Sequence, residues 1–413
     1  MKKLINLKYQ NIIGFLLLMM YSQFCVAQKK ITLKQAIDEA LKNNLSMKNE
    51  RLKMMYQQKV SKTYATIPLT NVITEAGQMN SIYHDTKFGI VQAFSLPMVY
   101  NQQRKILNEE LMTASTGVAM KEIELSKNVK QVFSVILLWK EKEKILIKAD
   151  SMYAEFLRKC TLRLSAGESN VLEKVSAESM QSSIHLQLKG IQQEIEVALL
   201  KLQLLMNTTD EIMPVSDDLK LNFIFTNDSI SFQNHPSLQL FQHQKVLAKS
   251  QTNFEKAKLL PEISFGYFNT SIKGNGADNS FYTSSTRFNS FQIGIGVPIF
   301  FKAQQYRIKS SFIQQQIADN NFQNHFDEMK NEWKAYELQY SNNLQMVSYY
   351  EKSALTNAKL IESTAQQQFA NGEINYLEWT MLINQSMAIQ NNYLDIIKSL
   401  NESIINIQYL NSK

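Results

Sequence analysis

Breakers of regular structure are scarce in this chain: six Pro and twelve Gly in 413 residues. Few breakers means few turns, which argues against a many-stranded sandwich or propeller and for long helices. Two Cys are too few for a disulfide-rich scaffold or, on their own, a four-ligand zinc site. There is no G-x-S-x-G, no H-E-x-x-H, no phosphate-binding glycine loop and no Cys–His pair at interpretable spacing. The chain is therefore not read as an enzyme, and no catalytic, cofactor-binding or metal residue is assigned. The five His (84, 185, 235, 243, 325) are scattered, with no i, i+4 pair and no nearby Cys, and are read as structural. The 18 Met are read as coiled-coil filling and leader content. Against these absences, 44% hydrophobic and 20% charged residues supply enough apolar material for an ordered structure.

The first 27 residues read as a signal peptide. Lys2, Lys3 and Lys8 form the charged region, Ile12 to Met20 the apolar one, and Cys25-Val26-Ala27 the small residues before cleavage after Ala27. The apolar run is about half the ~20 residues a membrane span requires. Cys25 invites a lipoprotein reading, but Ser22-Gln23-Phe24 match poorly the small, apolar pattern of lipidation sites. Removing the leader takes away three Lys and no acid, so net charge falls from +7 to +4, which gives no case for nucleic acid. Only Cys160 then remains, so no internal disulfide is expected. The longest later apolar stretch, Val132 to Trp139, has eight residues, so any membrane entry must be as a β-barrel.

The chain is written twice. Residues 165–173 and 370–378 share the frame G-E-x-N-x-L-E, carried by Gly167, Glu168, Asn170, Leu172 and Glu173, then by Gly372, Glu373, Asn375, Leu377 and Glu378, 205 residues later. Pro68 precedes Pro261 by 193 residues, Pro97 precedes Pro298 by 201, and Asn44-Leu45-Ser46-Met47 corresponds to His235-Pro236-Ser237-Leu238. Four landmarks in one order mark a duplication: a first repeat over 28–207, a linker over 208–234 and a second repeat over 235–413.

Each copy has one plan. A helical stretch (32–66; 236–259) ends at a proline, since the residue before proline is pushed out of helical geometry. Two strands follow, about 69–81 and 86–97, then about 262–273 and 286–298, with period-2 patterns such as Phe291, Ile293, Ile295 and Val297. Phe88, Ile90, Gln92, Phe94 and Leu96 share one face, opposite Gly89, Val91, Ala93 and Ser95. Pro97 and Pro298 open very long helical regions, roughly 99–164 and 301–369, free of Pro and, apart from Gly117, of Gly. About 65 residues at 1.5 Å would extend on the order of 100 Å, so these helices must pack as coiled coils. The chain turns at tips near 165–169 and 370–374, where Gly167 and Gly372 suit a helix C-terminus, and helices of about 40 residues return (168–207; 373–411). The fold class is mainly α with a membrane β-barrel. Four strands per chain cannot close a barrel, because small barrels need about eight, so several chains must contribute.

The two-fold repeat, the proline-bracketed hairpins and the tip sequences resemble the TolC-like outer-membrane efflux proteins over residues 31–413. The opening Ile31-Thr32-Leu33-Lys34-Gln35-Ala36-Ile37 looks like that family's first helix. The second tip, Gly372 to Trp379, looks most like the heavy-metal branch that works with resistance-nodulation-division pumps; the poor lipidation motif departs from lipidated members of that branch. The resemblance implies a homotrimer in the outer membrane of a Gram-negative bacterium, with a 12-stranded barrel in lipid and a helical tunnel across the periplasm. It implies a passive channel conducting metal cations or small toxic compounds from an inner-membrane pump through a periplasmic adaptor (membrane fusion) protein.

Carried over residue by residue, the resemblance places adaptor contacts on Ala166, Gly167, Glu168, Asn371, Gly372 and Glu373. The same Gly-Glu pair also serves as a C-cap followed by a favourable acid. Glu173 and Glu378 fall where the family carries constriction acids; a trimer would set six carboxylates around one axis, attracting cations. Lys174 beside Glu173 is a candidate to neutralise it. Pro68, Pro97, Pro261 and Pro298 mark strand–helix junctions, and Tyr267, Phe268, Phe281, Tyr282 and Phe291 are candidates for barrel-rim aromatics. Two other functions fit the pattern: a type I protein-secretion duct of the same architecture, and a periplasmic coiled-coil scaffold or adaptor, which would leave the paired hairpins without a purpose.

Overall fold

A computed structural model describes residues 29–79, 82–167, 170–223 and 231–412. The signal peptide, Glu168 of the first tip and part of the linker lie outside the described residues. Contacts divide the chain into two compact units, each drawing on both repeats. The first takes its described residues from Met1–Leu45, Glu124–Phe225 and Ala335–Tyr409, the second from Ser46–Ile123, Thr226–Lys334 and Leu410–Lys413.

In the first unit, β1 (Lys29–Ile31) pairs in parallel with β4 (Ile212–Pro214) of the linker, with Lys29 opposite Ile212 and Ile31 opposite Pro214. Helix α1 (Leu33–Asn43) starts in a capping box: the Gln35 N–H donates to Thr32 Oγ1 at 3.4 Å, and the Thr32 N–H to Gln35 Oε1 at 3.0 Å. The helix expected over 32–66 is broken at Asn44, whose ψ of 129° leaves the helical region while its Nδ2 donates to the Leu205 carbonyl at 2.9 Å. It resumes as α2 (Leu45–Val60) and ends in a 3-10 turn, Ser61–Thr63.

The long helices are α3 (Pro97–Ser165), α4 (Val171–Met206), α6 (Lys302–Tyr349), α7 (Leu355–Ala370) and α8 (Tyr376–Leu410), with α5 at Pro236–Ala257. A π turn, Tyr350–Ala354, joins α6 to α7. Proline suits the first helical position because its missing N–H would have no partner there, and Pro97 sits at that position of α3. Pro298 does not open its helix: Ile299 to Phe301 intervene before Lys302.

Within the first unit the helices bury seams. Ala149, Tyr153, Phe156 and Cys160 of α3 meet Ala177 and Ile184 of α4, Ala365 of α7, and Trp379 and Ile383 of α8. Leu138, Val347, Leu394, Ile397, Leu400 and Ile404 form a second cluster, against which Leu219, Leu221 and Phe223 of the linker pack. Buried Asn401 ties that linker down: its Oδ1 accepts from Leu221 N at 2.9 Å, and its Nδ2 donates to the Leu219 carbonyl at 2.8 Å and Ser134 Oγ at 2.9 Å.

The second unit holds an antiparallel sheet of β2 (Asn71–Gly77), β3 (Asp85–Ser95), β5 (Glu262–Ser271) and β8 (Arg287–Gly296), in that order, so the two hairpins of the repeat lie side by side. A small ribbon, β6 (Gly274–Asn275) with β7 (Phe281–Tyr282), decorates the β5–β8 connection. The register lines up Val72, Ile90, Tyr267 and Phe291 in one row across all four strands. The next rows on that face are Gln92, Phe265 and Ile293, then Phe94, Ile263 and Ile295.

Phe268, expected among the rim aromatics, lies on the opposite face. It follows Tyr267, and successive strand residues point to opposite sides. Its buried ring lies over Gly89, its register partner, and Gly266: a Cβ added at Gly89 would come within 2.4 Å of the ring and one at Gly266 within 2.9 Å. Gly89→Ala is therefore expected to destabilise the sheet by about 1–3 kcal/mol through overpacking. Gly296→Ala, whose Cβ would meet nothing nearer than Glu262 Cβ at 3.9 Å, is expected to be close to neutral. Thermal unfolding of the two variants in detergent checks the contrast.

Candidate functional site: the paired tips and the apolar sheet face

At the second tip α7 ends in a Schellman motif. Asn371 is the last residue in helical geometry, Gly372 takes φ +75°, the Gly372 N–H donates to the Phe369 carbonyl at 3.1 Å, and the Glu373 N–H to the Gln368 carbonyl at 2.8 Å. The first tip repeats this one for one as far as it is described: Gly167 also takes φ +75°, and its N–H donates to the Leu164 carbonyl at 3.1 Å. A side chain at either glycine would be strained, because L-residues disfavour positive φ. Ala166, Gly167, Asn371, Gly372 and Glu373 are all exposed. Beside them stand Leu172 and Leu377, exposed and equivalent by the repeat.

The same geometry explains the rest of the frame. Asn170 caps α4, accepting the Glu173 N–H at 2.9 Å. Asn375 accepts the Glu378 N–H at 3.0 Å, and Glu378 Oε2 accepts the Asn375 N–H at 2.8 Å, closing a capping box. G-E-x-N-x-L-E thus spells helix stop, turn, helix start.

The two acids then part company. Glu378 is exposed, whereas Glu173 is only 7% exposed. Glu173 reaches back to α3, where Arg163 Nη1 donates to its Oε1 at 3.2 Å and Cys160 Sγ lies 3.7 Å away. Its counterion is thus Arg163, ten residues upstream, with no signal in the tip frame beyond the presence of a nearby cation. The repeat equivalents of Arg163 and Cys160 are Gln368 and Ala365, so the second tip has no such pair. Burial and the Glu173 carboxylate push the Cys160 thiol up to about 11.

In place of Lys174 the second repeat has Trp379, which is buried. Its ring stacks on Phe156 at 4.7 Å and meets Tyr153 and Phe369 at 5.4 and 5.5 Å, while the Tyr153 hydroxyl donates to Asn384 Oδ1 at 2.9 Å. Trp379 falls by sequence within the returning helix, and its clustering is decided by α3, far from it along the chain, and by α7 across the tip.

The sheet supplies the other feature. On its apolar face the edge strand β8 leaves Phe291 85%, Ile293 72% and Ile295 69% exposed. Toward the hairpin ends this face turns polar: Arg287 donates from Nε to Asn269 Oδ1 at 2.6 Å and from Nη1 to Thr86 Oγ1 at 2.7 Å, and the Tyr267 hydroxyl donates to Asn289 Oδ1 at 2.9 Å. The opposite face carries Ser264, Gly294, Ser290, Gln292, Lys87 and Thr270. Pro68 and Pro261 lie outside regular structure just before β2 and β5, Pro97 just after β3 and Pro298 just after β8. Tyr267 and Phe291 touch on the apolar face at 5.4 Å, whereas Phe281 and Tyr282 belong to the β6–β7 ribbon. Among the described residues no helix is long and apolar enough to cross a membrane, and no group of three or more His, Cys, Asp or Glu is placed to hold a metal ion.

No known family model and no curated protein matches the sequence. Solved structures do. CusC matches with a TM-score of 0.77 at 18% identity, over 92% of this chain and 92% of that one. The outer-membrane protein VceC from Vibrio cholerae matches with 0.74 at 12% identity, over 92% and 96%. The outer-membrane channel MtrE from Neisseria gonorrhoeae, in its open state, matches with 0.67 at 14% identity, over 92% and 88%. The chain has the fold of the TolC-family channels.

Two outcomes follow from the tip chemistry. Replacing Asn170 or Asn375 by Ala should each cost about 1 kcal/mol, the worth of a helix N-cap, read by chemical denaturation. The folded thiol of Cys160 keeps its proton to about 11 against an ordinary value of 9.0. The unfolded chain therefore loses the proton first, and the thiol's contribution, intact below pH 9, drains away as pH rises from about 9 to about 11. Cys160→Ala should remove that part of the alkaline stability loss, seen as the difference between the two melting-temperature profiles.

Proposed function

We infer that this protein is the outer-membrane channel of a tripartite efflux system. It acts as a homotrimer whose three sheets close a 12-stranded barrel in the lipid, and its tips meet a periplasmic adaptor that couples it to an inner-membrane resistance-nodulation-division pump. The observation that carries this reading is the inverted sheet: a band of exposed Phe, Ile, Val and Tyr on one face, mostly polar and small residues around the buried Phe268 on the other, and unpaired edges at β2 and β8. Such a face suits hydrocarbon, and hydrocarbon forbids open edges. Strands β2 and β8 run antiparallel, so the β8 edge of one copy is oriented to pair with the β2 edge of the next.

The tube performs no chemistry. The adaptor grips the exposed tip residues Ala166, Gly167, Asn371, Gly372 and Glu373 and the leucines beside them, Glu168 falling in the same turn by sequence, and substrate runs down the gradient the pump creates. The Gly372 to Trp379 sequence supports assignment to the heavy-metal branch, with metal cations or small toxic compounds as cargo. Because Glu173 is ion-paired and buried, the constriction charge falls on Glu378, three carboxylates per trimer rather than six.

Purified from the detergent-solubilised outer membrane, the protein should run as a trimer by mass photometry, with helix dominating the circular dichroism and a minor β signal. A soluble periplasmic species without β signal would sink the channel. Ile293→Arg, which puts a charge on the lipid band, should cost about 2–4 kcal/mol per copy and reduce the membrane-assembled trimer. In planar bilayers Glu378→Gln should lower cation selectivity and Glu173→Gln leave it near the parent value; equal effects of the two would refute the division of labour.

A further inference from the structure

Arg287 opens β8 at the hairpin end of the sheet, on the same face as Phe291, Ile293 and Ile295. Its hydrogen bonds all go to neutral oxygens: Nε donates to Asn269 Oδ1 at 2.6 Å, Nη1 to Thr86 Oγ1 at 2.7 Å and Nη2 to the Asn269 carbonyl at 2.8 Å. The guanidinium also lies over the Phe88 ring at 5.4 Å. The acids of these strand ends, Glu75 and Asp85, belong to the other face. Glu75 pairs with Lys87 at 3.4 Å, and Asp85 Oδ1 accepts from Ser271 Oγ at 3.0 Å and from the Lys273 N–H at 2.8 Å. Closing a barrel would not supply a counterion, because a neighbouring β2 brings Val72, Thr74 and Ala76 to this face, none of them acidic.

The hydrogen bonds consume acceptors and leave donors. A guanidinium has only donors, so Asn269 must turn its oxygen to Arg287 and its amide nitrogen to Asn289. Asn289 must then present its own oxygen, which takes the Asn269 amide at 2.7 Å and the Tyr267 hydroxyl at 2.9 Å. Both side-chain oxygens are used. What remains is the exposed Asn289 amide and one further N–H on each of Arg287 Nη1 and Nη2. Donors around an uncompensated positive charge complement an anion, and a guanidinium suits phosphate oxygens in particular.

The position of Arg287 on the sheet selects the kind of phosphate. The helices join the strands at the opposite ends from the hairpins, so in the channel the hairpin ends lie at the outer leaflet. From exposed Val297, just past β8, to Arg287 is ten residues along one face. At about 3.4 Å per residue and a tilt of about 40°, that rise is roughly 25 Å, the height of the apolar band of such barrels. Arg287 therefore stands at the band's outer border, where a basic side chain meets lipid headgroups. We propose that Arg287 and Asn289 bind the phosphate of an outer-leaflet lipid, one per protomer, whose acyl chains lie on Phe88, Phe291 and Ile293. Those side chains are exposed directly beside the donors and give a lipid a hold that free phosphate lacks. In the outer leaflet of a Gram-negative bacterium the phosphate-bearing lipid is lipid A. The site rests on the channel reading, which sets this sheet in the membrane.

The test is a titration of the membrane-extracted, detergent-exchanged trimer with bisphosphorylated lipid A, followed by native mass spectrometry. One lipid per protomer is expected, and dephosphorylated lipid A and inorganic phosphate should each bind about tenfold more weakly or worse. Arg287→Ala should weaken lipid A binding about tenfold or more, with Arg287→Lys falling between it and the parent. Asn289→Asp, which sets a carboxylate beside the guanidinium at an exposed position, should produce a comparable loss in a second variant. Equal affinity of the parent and either trimeric variant, Arg287→Ala or Asn289→Asp, would overturn the site and leave the channel standing. So would equal binding of the dephosphorylated lipid or of inorganic phosphate. A protein recovered only as a soluble species would overturn the channel reading, and this site with it.

Discussion

The first unit depends on a seam of buried side chains spaced alternately three and four residues apart. On α3 the buried positions run Leu146, Ala149, Tyr153, Phe156 and Cys160, and on α4 Ile191, Ile195, Ala198 and Leu202. Most of the stability of such helices comes from this packing, to which propensity and exposed ion pairs such as Lys144–Glu141 add little. The spacing averages 3.5 while a straight helix turns every 3.6 residues, so keeping the seam in contact obliges the helices to coil around one another. Side-chain size sets how closely they approach: Ala149, Ala177 and Ala365 leave the room that Tyr153, Phe156 and Trp379 fill. The tips are consequences of that packing. Each hairpin must reverse where the seam ends, and the glycine with φ +75° does so in the fewest residues.

Duplication fixed the backbone of the tips more firmly than their contents. The Schellman bond to the carbonyl three residues back, the positive φ and the Asn cap recur with a 205-residue offset. These are satisfied by backbone groups and by one short side chain, so they constrain only Gly and Asn. Behind them the copies diverge, Cys160, Arg163 and Lys174 in one against Ala365, Gln368 and Trp379 in the other. An ion pair holds the first returning helix, an aromatic stack the second.

Much of this was legible in the sequence because it rests on local rules. Gly167 and Gly372 marked the tips and Pro97 the start of α3, although the helix before Pro68 stops at Val60 and α6 starts past Pro298, and the period-2 alternation of Phe291, Ile293 and Ile295 marked the strand whose apolar face is bare. What escaped was decided by partners far along the chain. The pairing of β1 with β4 joins residues some 180 apart with three residues each, too short for any pattern. Phe268 stood among the rim candidates beside Tyr267 because the two neighbours are equally aromatic, and only the pleat puts them on opposite faces. Glu173 read as a twin of Glu378 until Arg163, folded back along α3, claimed its carboxylate. His235 and His325 looked scattered because they meet only at the Ser237 hydroxyl.

The unequal tips bear on how such a structure could open. Moving α8 away from α3 draws Trp379 off Phe156 and Tyr153, exposing aromatic surface to water and breaking the Tyr153–Asn384 hydrogen bond. That cost is apolar, at about 25 cal/mol for each Å² exposed, and grows in salts that strengthen burial. Moving α4 away separates Arg163 from Glu173, and the carboxylate gains water as it loses the guanidinium. That cost is electrostatic, partly returned by solvation, and falls with ionic strength because Arg163 is half-exposed. Salt therefore acts in opposite directions on the two hairpins of one chain: sulfate tightens the second, and raised ionic strength loosens the first.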